Sequence, residues 1–75
     1  MNSMACSVIL VDSASHAIRI EKTLVGCNLP CKLIPVPRHL SSDCGVCVRI
    51  LSENKNKIER LLLENKIRIQ SIEDL

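Results

Sequence analysis

The chain has 75 residues, a net charge of +2 and no Phe, Tyr or Trp. This length allows one domain with a small core, here read as a single unit over 1–75. The missing aromatic rings argue against a reader of single-stranded nucleic acid, which stacks bases on such rings. The weak, scattered positive charge is no electrostatic footprint for nucleic acid or an anionic membrane.

Residues 8–11 form the longest apolar run near the start, far too short to span a bilayer. No cationic stretch followed by a long apolar one precedes it, so a signal peptide is not expected. Five cysteines is an odd number, and without an export signal they read as reduced thiols in a cytoplasmic protein. Most of them serve as small core residues.

In chain order, residues 6–11 predict a strand that is apolar on both faces, hence central in a sheet. Asp12, Ser13 and Ser15 are N-cap types, and Ala17, Ile20 and Leu24 then recur at helical spacing. Gly26 fits the left-handed end of that helix. Residues 31–36 predict a second strand, placed at an edge by Pro30 and Pro35, because proline cannot donate to a ladder.

A polar, turn-rich segment follows at 37–45. Residues 46–51 alternate Val46, Val48 and Ile50 against Cys47, Arg49 and Leu51, a strand with one wet or functional face. Residues 52–54 offer caps for a second helix with its stripe at Ile58, Leu61 and Leu62, and Asn65 as a left-handed stop. Residues 67–72 alternate again and predict a last strand.

The order βαββαβ is an α+β arrangement. Two amphipathic helices are buried most economically on one face of a four-stranded antiparallel sheet, the ferredoxin-like split-βαβ sandwich. Right-handed crossovers give the strand order 4-1-3-2. The other sheet face must then be polar, covered, or paired, and a homodimer through it is expected.

This topology brings the start of the first helix (Ser13, Ser15, His16) to the same edge as the 37–44 loop. Cys27 and Cys31 fall at the opposite edge, six residues or roughly 17–20 Å away. A zinc ion needs its four sulfurs about 2.3 Å from the metal, so Cys27, Cys31, Cys44 and Cys47 do not make one site if 31–36 is extended. No metal is expected, and no cofactor motif is present. Cys44-x2-Cys47 alone resembles a redox pair, but such pairs open a helix, and here the second cysteine enters a strand. Cys44-x4-Arg49 is one residue short of the phosphatase Cys-x5-Arg loop.

Cys44 stands out by its company. Gly45 lets backbone approach a ligand closely, Ser41, Ser42 and the loop amides can donate to an anion, and Arg38 and Arg49 bring positive charge. An arginine or a helix N-terminus beside a cysteine raises its thiolate fraction, and His16, at the same edge, is placed to share a proton with it. The plainer alternative is that the arginines are solvated and Ser41, Ser42 and Asp43 merely form a turn. The residues alone leave both readings open.

At these residues the sequence resembles the selenium/sulfur carrier protein-like family. The matching motifs are Ser15-His16-Ala17 with Glu21-Lys22, then Leu33-Ile34-Pro35-Val36-Pro37-Arg38, then Ser41-Ser42-Asp43-Cys44-Gly45 and Arg49. The resemblance implies that Cys44 holds sulfur or selenium as a persulfide or selenopersulfide, with Arg38, Ser41, Ser42, Gly45 and Arg49 as its setting. Donor and acceptor proteins of sulfur or selenium trafficking are the implied partners, and the protein is at most a relay. The sequence departs from the family at Cys47, where a small apolar residue is more usual, which offers a second, resolving thiol. It lacks the Cys-Pro-x-Pro motif of other sulfur-relay proteins. The rival functions are a non-catalytic module binding a small anion or a peptide, and a cysteine metal-binding protein.

Overall fold

The computed structural model describes residues 5–40 and 44–75. The elements run β1 (Cys6–Leu10), α1 (Ala14–Gly26), β2 (Cys31–Pro35), β3 (Val46–Leu51), a 3-10 turn (Ser52–Asn54), α2 (Lys55–Glu64) and β4 (Ser71–Asp74). They build one four-stranded antiparallel sheet in the order β2-β3-β1-β4. This is the expected 4-1-3-2 arrangement, with β1 inside and β2 at an edge.

Alternation along each strand assigns the two faces of the sheet. Ile9 and Val11 from β1 and its exit, with Val48 and Ile50 of β3, pack against Ala17, Ile20 and Leu24 of α1 and Ile58 and Leu62 of α2. Both helices therefore cover one face. Without aromatic rings this core is aliphatic throughout, and each buried Leu or Ile contributes about 1.5–3 kcal/mol. Ser7 shares that face and is fully buried. Its hydroxyl has one proton, so it donates to Asp74 Oδ1 (3.0 Å) and accepts from Ser52 Oγ (2.7 Å), which satisfies it.

The opposite face is not simply open. Val8, Leu10 and Cys47 form a second buried cluster, with Ile34, Val36 and Leu40 packed against it. Residues 36–40, after β2, thus fold back over part of the sheet. Val36 N–H donates to Gly45 O (3.1 Å), and Leu40 N–H donates to Pro37 O (3.0 Å) across a turn.

Both helix ends differ from the sequence expectation. α1 runs through Gly26, and the left-handed residue is Asn28 (φ 59°), with Leu29 N–H bonded to Leu24 O and Asn28 N–H to Val25 O. At α2 the left-handed residue is Lys66 (φ 56°) rather than Asn65, with Ile67 N–H on Leu62 O and Lys66 N–H on Leu63 O. These are Schellman ends, in which the next apolar residue folds back onto the helix. Leu29 and Ile67 are those residues, both buried in the core, and they fix where each helix turns.

The last strand also moves. Residues 67–70 alternate as a strand does, yet ladder pairing begins only at Ser71, opposite Leu10, and ends with Asp74 opposite Ser7. Ile67 is used in the core below α2, so residues 67–70 are the path from helix to sheet edge. No helix among the described residues is long and apolar enough to cross a membrane.

Candidate functional site

The edge where β1 and β2 end and β3 and β4 begin gathers the residues of interest. β1 leaves the sheet at Leu10, whose carbonyl accepts from Gln70 N–H (2.8 Å). Val11 follows, and its carbonyl faces the Cys44 sulfur at 3.4 Å. Cys44 Sγ also lies 3.0 Å from Val46 O. A thiol has one proton and can donate to only one of these carbonyls at a time. Cys44 is half-buried and packs against the helix-side core, so it sits at the surface on an apolar floor.

The next residues of the chain start α1. Ser13 is extended (φ −148°, ψ 156°) and caps the helix by accepting from His16 N–H (3.4 Å). Its hydroxyl also lies 3.0 Å from His16 Nδ1 and 3.0 Å from Ser15 Oγ. His16 is half-buried, and Ser13 fixes its ring two residues beyond the carbonyl that holds Cys44. Asp12 is tied to the start of β4 by Gln70 Nε2 (2.6 Å).

Gly45 has a φ of +74°, a left-handed conformation that glycine adopts without strain. A Cβ there would meet nothing within 4 Å, so the backbone conformation and not crowding is what asks for glycine. Gly45 turns the chain so that residue 44 meets the helix side of the sheet while Leu40, a few residues earlier, packs on the other side.

The expected site residues are not all brought together. Cys44, Gly45 and His16 share the edge. Arg38 is exposed in the 37–40 turn of the same loop. Ser41 and Ser42 lie outside the described residues. Arg49 is placed elsewhere: it pairs with Lys32 and Val8, roughly 10 Å down the strand from Val46. There it lines a depression with Cys6, Pro30, Lys32 and Leu51 at the far end of the sheet. Strand geometry causes the separation, because a residue this far along an extended chain does not fold back to the strand's start.

Cys47, the second thiol of Cys44-x2-Cys47, is 0% exposed, within 4.0 Å of Pro35 O, in the cluster beneath Leu40. Burial pushes its thiol up from the ordinary value, and the neighbouring Cys44 adds to this. Cys31 is raised as well, by burial and then by Glu21, and its sulfur approaches Glu21 O at 3.8 Å. Strand β2 separates Cys27 and Cys31 from the Cys44 edge, so the four sulfurs do not share one ion. Among the described residues no three His, Cys, Asp or Glu side chains converge as a metal site does.

Sequence reasoning missed the Val11 carbonyl and the Asp12–Gln70 bond. A backbone acceptor leaves no mark in the sequence, and Gln70 reads only as a polar residue of an alternating run.

A family model described as "putative Se/S carrier protein-like" matches residues 6–73. The chain belongs to this family. The match takes in every element of the fold but the last residue of β4, and so includes the whole Cys44 edge. No curated protein and no solved structure matches the chain. In this member of the Se/S carrier-like family the thiol of Cys44 faces the Val11 and Val46 carbonyls and donates to one of them at a time, and the capped start of α1 follows Val11 in the chain.

Proposed function

We propose that this domain carries sulfur or selenium on Cys44 and relays it between partner proteins. The observation that supports this most is the position of Cys44: a half-buried thiol beside the left-handed Gly45, facing the Val11 carbonyl two residues before the Ser13 cap of α1. Of the five thiols, Cys47 is buried and Cys27 is exposed at a helix end, while Cys6, Cys31 and Cys44 are all half-buried. Cys44 differs from the other two half-buried thiols in lying beside the left-handed Gly45, at the sheet edge where α1 starts. In this reading a partner approaches from the open side of the residue, and the core against which Cys44 packs shields the other side. Membership of the Se/S carrier-like family supports the same reading.

Loading is written as an exchange that needs no outside oxidant. The Cys44 thiol attacks the terminal sulfur of a donor persulfide, R–S–SH. The donor S–S bond breaks, a new S–S bond forms on Cys44, and the donor leaves as R–SH. Delivery is the same step run toward an acceptor thiol, and a selenopersulfide follows the same balance. In this reading Arg38 draws an anionic donor and His16, at the same sheet edge, takes part in the proton transfer. A relay of this kind has no small-molecule turnover of its own.

The test is to incubate the reduced protein with a persulfide donor and measure intact mass. An adduct of about 32 Da per sulfur on the wild type that Cys44→Ser lacks is expected. An equal adduct on Cys44→Ser overturns the assignment.

A further inference from the structure

The end of the sheet remote from Cys44 carries a feature that the carrier reading leaves unused. Lys32 of β2 and Arg49 of β3 are direct cross-strand partners, and both are exposed. Like charges directly opposite each other destabilise a strand pair. A lysine on an edge strand has a ready explanation, since it discourages pairing with other chains. That explanation covers Lys32 but not Arg49, which lies on an inner strand between β2 and β1.

Among the described residues no carboxylate forms an ion pair with Lys32 or Arg49. The acid in register with the pair is Glu73, but Glu73 pairs with Val8 from the far side, so it sits two strands from Arg49 across a buried valine. Among the described residues the one ion pair is Lys55–Asp74. The two cations instead line a depression of about 280 Å³ whose remaining walls include Cys6, Pro30 and Leu51. That volume lies at the small end of ligand sites, about 300–1,000 Å³, and it is the two cations, not the volume, that point to an anion.

From this geometry we infer that the Lys32–Arg49 depression is a binding site for a small divalent oxyanion of the sulfate or phosphate type. An arginine offers paired N–H donors to two oxygens and the lysine adds a point charge. Two positive charges match two negative ones. An anion between the cations turns the cross-strand repulsion into two attractions. The site is independent of Cys44 and stands or falls apart from the carrier reading.

The test uses the whole, unmodified, isotope-labelled protein. Sodium sulfate is titrated at constant ionic strength with chloride as the balancing salt, and backbone amide shifts are followed by NMR. Saturable shifts centred on residues 6, 32, 49 and 51 are expected. Arg49→Gln and Lys32→Gln are each expected to weaken binding at least about tenfold, the scale of one charge-assisted contact, while Arg49→Lys retains part of it. Both side chains are exposed, so cooperative thermal transitions no lower than the wild type's show that the variants fold. Shifts that rise linearly without saturation overturn the site. So do shifts centred on the α1 start, unchanged affinity in both glutamine variants, or acetate binding as tightly as sulfate.

Discussion

Replacing Gly45 with alanine tests the link between backbone geometry and the Cys44 edge. At φ +74° an L-residue meets its own carbonyl, a cost of about 1–2 kcal/mol. Alanine recovers about 0.4–1 kcal/mol of this because its unfolded chain is less free than glycine's. Beyond the chain neighbours, no atom of the described residues lies within 4 Å of the new Cβ, so no tertiary clash adds to this cost. The net loss is about 1 kcal/mol, which for a domain of this size lowers the melting temperature by about 4–8 °C. Gly45→Asn, whose side chain tolerates the left-handed region, is expected to lose less than alanine. Calorimetry on the three proteins measures this directly. The same variants, weighed after incubation with a persulfide donor, are expected to load Cys44 in the order Gly, Asn, Ala. An alanine variant as stable as the wild type refutes the conformational argument. A loss above about 3 kcal/mol refutes the claim that the position is uncrowded.

Two further outcomes are expected. The Lys55 ammonium, then Ser7, hold the Asp74 carboxyl below its ordinary value of 3.8. The unfolded chain therefore binds this proton first, and the stability Asp74 contributes is present above that value and lost as pH falls through the lower folded value. Urea melts below pH 4 should show a steeper acid loss for the wild type than for Asp74→Asn, and parallel curves contradict it. Thiol alkylation under native conditions should label Cys27 first and Cys47 last, because Cys27 is exposed while Cys47 is fully buried and its thiol is pushed up by burial. Mass-resolved kinetics report the order, and equal rates at the two positions contradict the packing of Leu40 over Cys47.

The sequence by itself determined the order of elements and the faces they bury. A run apolar on both sides can only be an inner strand, which is where β1 lies. Asp12, Ser13 and Ser15 before a helical stripe mark the α1 start because an exposed amide end needs a side-chain acceptor, and of the three Ser13 is the one that supplies it. Prolines at 30 and 35 marked β2 as an edge. These are local or periodic properties, and neighbours in the chain carry them.

Only the tertiary structure decided where the helices stop, where β4 begins and which side chains share a pocket. Asn28 and Lys66 take the left-handed position because Leu29 and Ile67 must turn into the core, a demand set by residues far away in sequence. Arg49 reads as part of the Cys44 motif because only five positions separate them, but an extended strand carries it to the other end of the sheet, opposite Lys32. Cys47 reads as accessible because it alternates with core residues, yet the returning loop covers it. Closeness along the chain says little about closeness across a sheet, because each strand residue moves about 3.3 Å onward and alternates faces, and the ladder then chooses its neighbours.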